Sequence, residues 1–257
     1  MIKLYANVGI GHENDFEKIK KRIVSAAQCN ADAIVINKSS PRIVIPENKK
    51  YVSITSKWGS LPYLEVAEKS EIDDLTVKKI YELIDHIGIP LIWSITDTEA
   101  GEWVIEKTPC RDIKIHWDSR KDWELLKFAV LNFDNIIYGG HCNTCKQNIK
   151  MLLDDYLTNT NKRKRLSLYH TANKLPAEIE EIQLGFLDQY RLGQHNDIKI
   201  GYEGRTPDIF PDCAIVFKNV DFIEKYLGDD DSEGAILSPE KFYDFFVNMN
   251  QLEIANG

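Results

Sequence analysis

Short apolar runs alternate with amphipathic segments along the whole chain, and this alternation is the main structural signal in the sequence. Apolar runs of about four to eight residues are typical of buried strands, and apolar positions three or four apart are typical of surface helices. The runs predict eight strands, at Lys3–Val8, Ala33–Asn37, Pro90–Ser94, Asp112–His116, Asn135–Tyr138, Arg165–Tyr169, Ile198–Tyr202 and Asp221–Tyr226.

Amphipathic segments predict the helices between and after these strands. They cover Phe16–Gln28, Asp73–Ile87, Glu99–Glu106, Asp122–Leu131, Thr144–Tyr156, Ala177–Leu192, Pro211–Lys218 and Pro239–Ile254. The irregular segment Ser39–Ser70 contains one further short predicted strand, Arg42–Ile45. Strands that alternate with helices predict a single closed (β/α)8 TIM barrel over residues 1–257. An open, doubly wound sheet is the alternative.

Histidines follow several of the predicted strands. His12 follows the first, His116 ends the fourth, His141 follows the fifth and His170 follows the sixth. In a parallel barrel all strand C-termini face the same rim, here called the mouth, where such folds place their chemistry. A histidine has an unperturbed pKa of about 6.5 and exchanges protons near neutral pH. We therefore predict His170, His116 and His12 as candidate catalytic residues.

Composition excludes several classes of protein. The net charge of -8 disfavours binding to nucleic acid or to an anionic membrane surface, because both need a cationic patch. No apolar stretch approaches the roughly 20 residues that span a bilayer. Five cysteines in 257 residues do not indicate a disulfide scaffold, so we expect a cytoplasmic protein. The oligomeric state stays open, and a homo-oligomer is compatible with the sequence.

Several short motifs occur in a familiar order. The chain has an A-N-V-G-I-G-H start at 6–12, A-D-A-I-V-I-N at 31–37, K-I-H-W at 114–117, H-T-A-N-K-L-P at 170–176, G-Y-E-G-R-T at 201–206 and I-E-K-Y at 223–226. Together they resemble the catalytic barrel of the N-acetylneuraminate (sialic acid) synthase family over nearly the whole chain. We expect residues 1–257 to hold the barrel alone, without the small C-terminal antifreeze-like domain of that family.

The resemblance implies a condensation of phosphoenolpyruvate with an N-acyl sugar at a divalent metal. Six positions depart from the family pattern, one of them Ser119, which stands where the family has an acidic residue. Asn7 replaces an acidic residue, Val35 replaces a lysine, and Trp117 replaces a serine. The two metal-binding histidines correspond to Arg205 and Tyr226, and a protonated arginine cannot ligate a cation. Whether a divalent metal or another cofactor is used therefore stays open.

Other positions keep groups suited to anions. Lys114 and Asn173 fall on anion-binding positions of the resemblance, and Arg205 could bind a carboxylate or phosphate in bidentate fashion. An internal pair between Arg205 and either Glu203 or the acidic loop at 229–233 is the competing interpretation. The predicted substrate-binding residues are Lys114, Asn173, Arg205, Tyr202, Lys225 and Lys38.

A C-x-x-C pair, Cys142 and Cys145, follows the fifth predicted strand with His141 beside it. This spacing suits a soft metal such as zinc, although a full site needs about four ligands. Two ordinary cysteines near a helix start are the alternative.

Two functions follow from these observations. The first is an enzyme of nonulosonic acid or related carbohydrate biosynthesis, a synthase-like transferase or lyase with a remodelled mouth that takes a small anionic sugar or keto acid. The second is a catalytically inactive barrel that serves as a binding module or accessory subunit.

Overall fold

A parallel sheet of eight strands closes on itself in the computed structural model, which describes residues 1–9, 11–139, 147, 151, 166–191, 198–230 and 234–256. Strand β1 pairs in parallel with β2 on one side and with β8 on the other, so the predicted barrel is confirmed. The strands β1 to β8 are Lys3–Asn7, Ala33–Lys38, Leu91–Ile95, Asp112–Ile115, Asn135–Gly139, Leu166–Thr171, Lys199–Gly204 and Phe222–Leu227.

Helices surround the barrel in the described part of the chain. In chain order, α1 to α11 are Phe16–Gln28, Pro41–Val44, Glu47–Lys50, Tyr63–Ser70, Asp74–Ile87, Thr98–Lys107, Trp123–Asn132, Ile179–Ile182, Gly185–Arg191, Phe210–Cys213 and Pro239–Asn256. Single 3-10 turns occupy Trp117–Ser119 and Ala214–Lys218, and a two-residue strand, Ile236–Leu237, pairs beside β8. Within the described residues, no helix combines the length and apolar character that a membrane crossing requires.

The sequence places the ends of the longer helices. The Asp15 carboxylate accepts the amide of Glu17 at 3.0 Å and caps α1. Asp73 caps α5 in the same way, with the Thr76 amide at 2.7 Å. Gly88 ends α5 in the left-handed region at φ +79°, a conformation that costs glycine little. These boundaries agree with the prediction to within one residue.

Two apolar cores lie on opposite faces of the strands. Alternate side chains point outward and pack against the helices, and this outer core includes Ile34, Trp93 and Ile113. The other side chains point into the barrel. They form a smaller interior core of Ala33, Val35, Ile92, Ile137, Tyr169 and Phe222. Both faces of each strand are therefore covered, as in other parallel barrels.

The segment after β2 differs from the prediction. Residues 42–45 were expected to form a strand, but 41–44 form the short helix α2. Pro41 has a fixed φ that suits a first helical turn, and Ile43 is 51% exposed, unlike a residue of a buried strand. An antiparallel hairpin, Ser53–Ser56 with Gly59–Pro62, follows it.

The predicted helix over 177–192 is interrupted. Gln183 lies at φ +46°, which ends α8 before α9 begins. The predicted helix over 211–218 is instead the short α10 followed by the 3-10 turn. The predicted helix over 144–156 lies outside the described residues, except for positions 147 and 151.

Candidate functional site

A layer of charged side chains lies inside the barrel at the C-terminal ends of its strands. Lys114 on β4 reaches across the interior to β7 and β8. Its Nζ donates to Glu203 Oε2 at 2.6 Å and to Glu224 Oε1 and Oε2 at 2.7 and 2.8 Å. All three residues are at most 2% exposed. The lysine therefore bridges two buried carboxylates.

Glu203 also binds Arg205 and Tyr226, the two residues that the resemblance aligns with metal-binding histidines. Its Oε1 accepts Arg205 Nε at 2.7 Å and the Tyr226 hydroxyl at 2.6 Å. Arg205 Nη2 lies 2.5 Å from the same oxygen. The internal pair between Arg205 and Glu203, one of the two interpretations of the sequence, is thus present.

Asn7 completes this interior network. Its Nδ2 donates to Glu224 Oε1 at 2.8 Å, and its Oδ1 accepts the amide of Gly9 at 3.0 Å. An acidic residue at position 7 would place another carboxylate against Glu224. The neutral amide is therefore compatible with the charges around it.

The network shifts the pKa values of the two glutamates in opposite directions. Burial alone would raise the pKa of Glu203, but Arg205 and Lys114 outweigh burial and hold it well below its ordinary value. Burial raises the pKa of Glu224, and the Lys114 charge offsets only part of that rise. Carboxylates with such divergent pKa values are typical of sites that handle protons or anions.

Arg205 is held from a second direction by Trp117. The guanidinium carbon lies 4.2 Å from the centroid of the indole ring, and the arginine side chain is fully buried. The Nη1 atom of Arg205 is buried and has no hydrogen-bond partner among the described residues. The Nη1 group of this fixed guanidinium can therefore donate hydrogen bonds to a ligand.

Asn173 joins this end of the barrel through Arg120. Arg120 Nη2 donates to Asn173 Oδ1 at 2.8 Å, and its guanidinium carbon lies 5.1 Å from the Trp117 ring centroid. Lys114 and Arg205 therefore share one network, and Arg120 and Trp117 connect Asn173 to it.

Tyr202 and Lys225 belong to a different buried network, on the outer face of the barrel. Asp212 Oδ1 accepts the Tyr202 hydroxyl at 2.7 Å, and Oδ2 forms an ion pair with Lys225. Thr206 donates to the same carboxylate at 2.9 Å, and its carbonyl accepts Lys225 Nζ at 2.7 Å. This network anchors α10 and the turn after Arg205, and does not line the mouth.

The three predicted catalytic histidines have different environments. Burial lowers the pKa of His116 to about 3 and that of His12 to about 4, so both are neutral at neutral pH. His170 is fully buried on the outer face, where its Nε2 lies 2.5 Å from the carbonyl of Ile182 and its ring stacks on Tyr202. The charge of Glu203 raises the pKa of His116 and the charge of Arg205 lowers it, so His116 lies within reach of the interior charges.

Lys38 points away from the interior network. Its Nζ donates to Glu71 at 2.9 Å and to the carbonyl of Ile72 at 3.2 Å, and lies 4.5 Å from the Trp103 ring centroid. These partners precede α5 or lie on α6, on the helical side of β2.

The predicted metal group, Cys142, Cys145 and His141, lies outside the described residues. Among the residues that the structure does describe, no cluster of three or more histidine, cysteine, aspartate or glutamate side chains could hold a metal ion.

Sequence reasoning named Glu203 only as a possible ion-pair partner of Arg205, and it assigned no role to Glu224 or Asp212, the third carboxylate. A signal for the first two was present, because side chains alternate between the two faces of a strand. Glu203 and Arg205 share one face of the β7 path, whereas Tyr202 and Gly204 share the other. No comparable signal existed for Asp212, which is brought to Lys225 by the turn of α10.

A sequence profile of the NeuB family matches residues 22–257. The chain is 24% identical to the N,N'-diacetyllegionaminic acid synthase of Campylobacter jejuni, over 99% of this chain and 77% of that protein.

Solved structures show the same fold. An N-acetylneuraminic acid synthetase from Leptospira borgpetersenii, in complex with citrate, has a TM-score of 0.83 at 16% identity, covering 100% of this chain and 85% of that one. A spore coat polysaccharide biosynthesis protein from Bacillus subtilis has a TM-score of 0.74 at 16% identity, covering 98% and 68%. With the profile match across most of its length, the chain belongs to the NeuB family.

Proposed function

We propose that this protein acts in carbohydrate biosynthesis and that its mouth binds a small anionic sugar or α-keto acid. Membership of the NeuB family and the similarity to a legionaminic acid synthase support the carbohydrate class. The related sialic acid synthetase binds citrate, a small polycarboxylate, in its solved structure. The free thiols of Cys29, Cys110 and Cys213 support action in a reducing compartment such as the cytoplasm.

The observation that carries the proposal is the unpartnered edge of Arg205. Its Nε and Nη2 atoms are directed to Glu203, while Nη1 is buried without a partner among the described residues. A buried donor that lacks an acceptor costs about 1–3 kcal/mol. A ligand carboxylate at Nη1 would remove that cost and form a charge-assisted hydrogen bond. The Trp117 ring already fixes the plane of the guanidinium.

His116 supplies a second polar group near the proposed anion. Its Nδ1 accepts the amide of Asp118, so the neutral ring carries its proton on Nε2. That N–H is suited to donate to a ligand oxygen. Because the pKa of His116 is about 3, the ring does so without adding charge at neutral pH.

A non-catalytic barrel is the second candidate, and the state of Lys114 favours it. Its amine is shared between Glu203 and Glu224, so the strongest interior cation for a phosphate is already neutralised. Phosphate release from phosphoenolpyruvate, measured with N-acetylmannosamine and manganese, separates the two candidates. Turnover above that of a protein-free blank identifies an enzyme, and its absence alongside ligand binding identifies a binding module.

The binding proposal is tested by calorimetric titration with N-acetylneuraminate, phosphoenolpyruvate and pyruvate. We expect one of these anions to bind wild-type protein and to bind Arg205→Gln at least about tenfold more weakly, because a charge-assisted hydrogen bond contributes about 1.5–3 kcal/mol. Arg42→Gln is the matched control, since Arg42 is an exposed arginine paired with Glu68. Equal affinity of wild type and Arg205→Gln for every anion would remove Arg205 from the site.

A further inference from the structure

We infer that the anion site in this barrel operates without a divalent cation, because two fixed side-chain cations already neutralise the interior carboxylates. The inference rests on the proposed anion site. It concerns the charge layer formed by Lys114, Glu203, Arg205 and Glu224, which is completely buried.

The residues at the family's metal positions do not fit a metal ion. A guanidinium has donors and no lone pair available to a cation, so Arg205 cannot be a ligand. The Tyr226 hydroxyl donates its proton to Glu203 Oε1 at 2.6 Å, so its hydrogen-bonding role is already taken. The positions that would supply imidazole nitrogens therefore supply a positive charge and a proton donor.

The two carboxylates that could replace those ligands are already occupied. Glu203 Oε1 accepts from Arg205 and Tyr226, and Glu203 Oε2 accepts from Lys114. Both oxygens of Glu224 accept from Lys114, and one of them also accepts from Asn7. Manganese and magnesium need several oxygen ligands at about 2.0–2.2 Å. A cation at this depth would have to displace hydrogen bonds from every one of these oxygens.

Charge balance leads to the same result. The layer holds two side-chain cations and two carboxylates in direct contact. A divalent ion inserted among them would face the charges of Lys114 and Arg205 at close range in a medium of low dielectric, where repulsion is poorly screened. Arg205 thus occupies the position of a metal ligand and supplies the positive charge, leaving its Nη1 atom for the anion.

The test is a titration with Mn²⁺ alone, in which the electron paramagnetic resonance signal counts the unbound ion. Wild type is compared with Glu203→Gln and with Glu224→Gln, each checked for a native circular dichroism spectrum. Glu224→Gln leaves the Arg205–Glu203 pair intact, so it serves if Glu203→Gln does not fold. We expect the same Mn²⁺ isotherm for each folded variant as for wild type, because neither glutamate is a ligand.

A second measurement uses wild type only. After EDTA treatment and gel filtration, its affinity for N-acetylneuraminate, phosphoenolpyruvate and pyruvate is expected to be unchanged. Mn²⁺ binding that weakens about tenfold or more in either glutamate variant, as loss of a ligand or its support does, would overturn the inference. So would an anion affinity that EDTA abolishes and Mn²⁺ restores. Failure of all three anions to bind would count against the anion site, while the Mn²⁺ isotherms would still decide the metal question.

Discussion

Glu203 and Glu224 lie directly beside each other, as register partners on the parallel strands β7 and β8. Both are 1% exposed. Two buried carboxylates in adjacent positions repel each other unless a cation lies between them. Lys114 fills that place from β4, across the interior, and binds both. The fold of this region therefore depends on a lysine that is remote in sequence from either glutamate.

Replacing Lys114 with methionine is expected to destabilise the protein strongly. The substitution keeps most of the side-chain volume but leaves Glu224 without a cationic partner, and breaking a buried ion pair in this way costs about 3–5 kcal/mol. Urea denaturation followed by circular dichroism measures the change in the free energy of unfolding.

The double variant Lys114→Met with Glu224→Gln is expected to recover part of that loss, because the orphaned charge is gone. A double-mutant cycle with no coupling between these two positions would contradict the proposed role of the lysine.

Stability is expected to fall in mild acid, partly because of His12. Burial lowers the pKa of His12 from 6.5 to about 4, and Arg22 and Lys38 add to the effect. The unfolded chain therefore takes up a proton near pH 6.5, whereas the folded chain takes it up only near pH 4. The free energy of unfolding falls as the pH drops from 6.5 to 4. At pH 4 the loss of stability due to His12 reaches about 3 kcal/mol.

His12→Asn should flatten this pH dependence, because an asparagine oxygen can replace Nδ1 as the acceptor of the Asn14 amide and does not titrate. Urea denaturation at several pH values between about 4 and 7 measures the slope. His86→Asn, at an exposed position, is the control for the loss of one histidine. A His12→Asn slope equal to wild type would refute this explanation.

Gly201→Ala is expected to destabilise the barrel. A methyl group at position 201 would lie 2.1 Å from a ring carbon of Phe222, which is buried and stacks on Tyr5 with centroids 5.0 Å apart. Overpacking of this kind costs about 1–3 kcal/mol or more. Thermal unfolding is the measurement, and Gly185→Ala is the control, since a methyl group there meets nothing within 4 Å. A melting temperature for Gly201→Ala as high as that of Gly185→Ala would contradict the prediction.

Tyr202→Phe is expected to lower stability without changing the binding of an anion. The hydroxyl donates to Asp212 on the outer face of the barrel, and the loss of one such hydrogen bond costs about 1 kcal/mol. Calorimetric titration with the anion that binds wild type should give the same affinity. Weaker binding at unchanged stability would instead return Tyr202 to the ligand site, where the sequence had placed it.

Much of the fold could be predicted because strands and helices carry local signals. The apolar runs marked all eight barrel strands, and Asp73 and Gly88 marked the two ends of α5. Prediction was wrong where the local signal was ambiguous. Residues 43–45 are β-branched and apolar, yet residues 41–44 form a helix that begins with Pro41, a residue suited to a first helical turn.

The candidate site was predicted less completely, since its members depend on which face of a strand points inward. Lys114 and Arg205 lie in the interior charge layer. Tyr202 and Lys225 stand at neighbouring strand positions whose side chains point outward, toward the helices. Single-residue alternation is a local property, whereas the identity of the inner face is decided by barrel closure.

The sequence by itself determined where each strand lies, with its end placed to within two residues, and so which segments approach the mouth, because strand and helix periodicity are local. Only the tertiary structure decided that Glu203 binds Arg205 and shares Lys114 with Glu224. These partners are brought together by the parallel register and by closure of β1 on β8, which no local pattern specifies. Whether a charged side chain in this chain meets a ligand or another side chain is therefore settled by packing across the barrel.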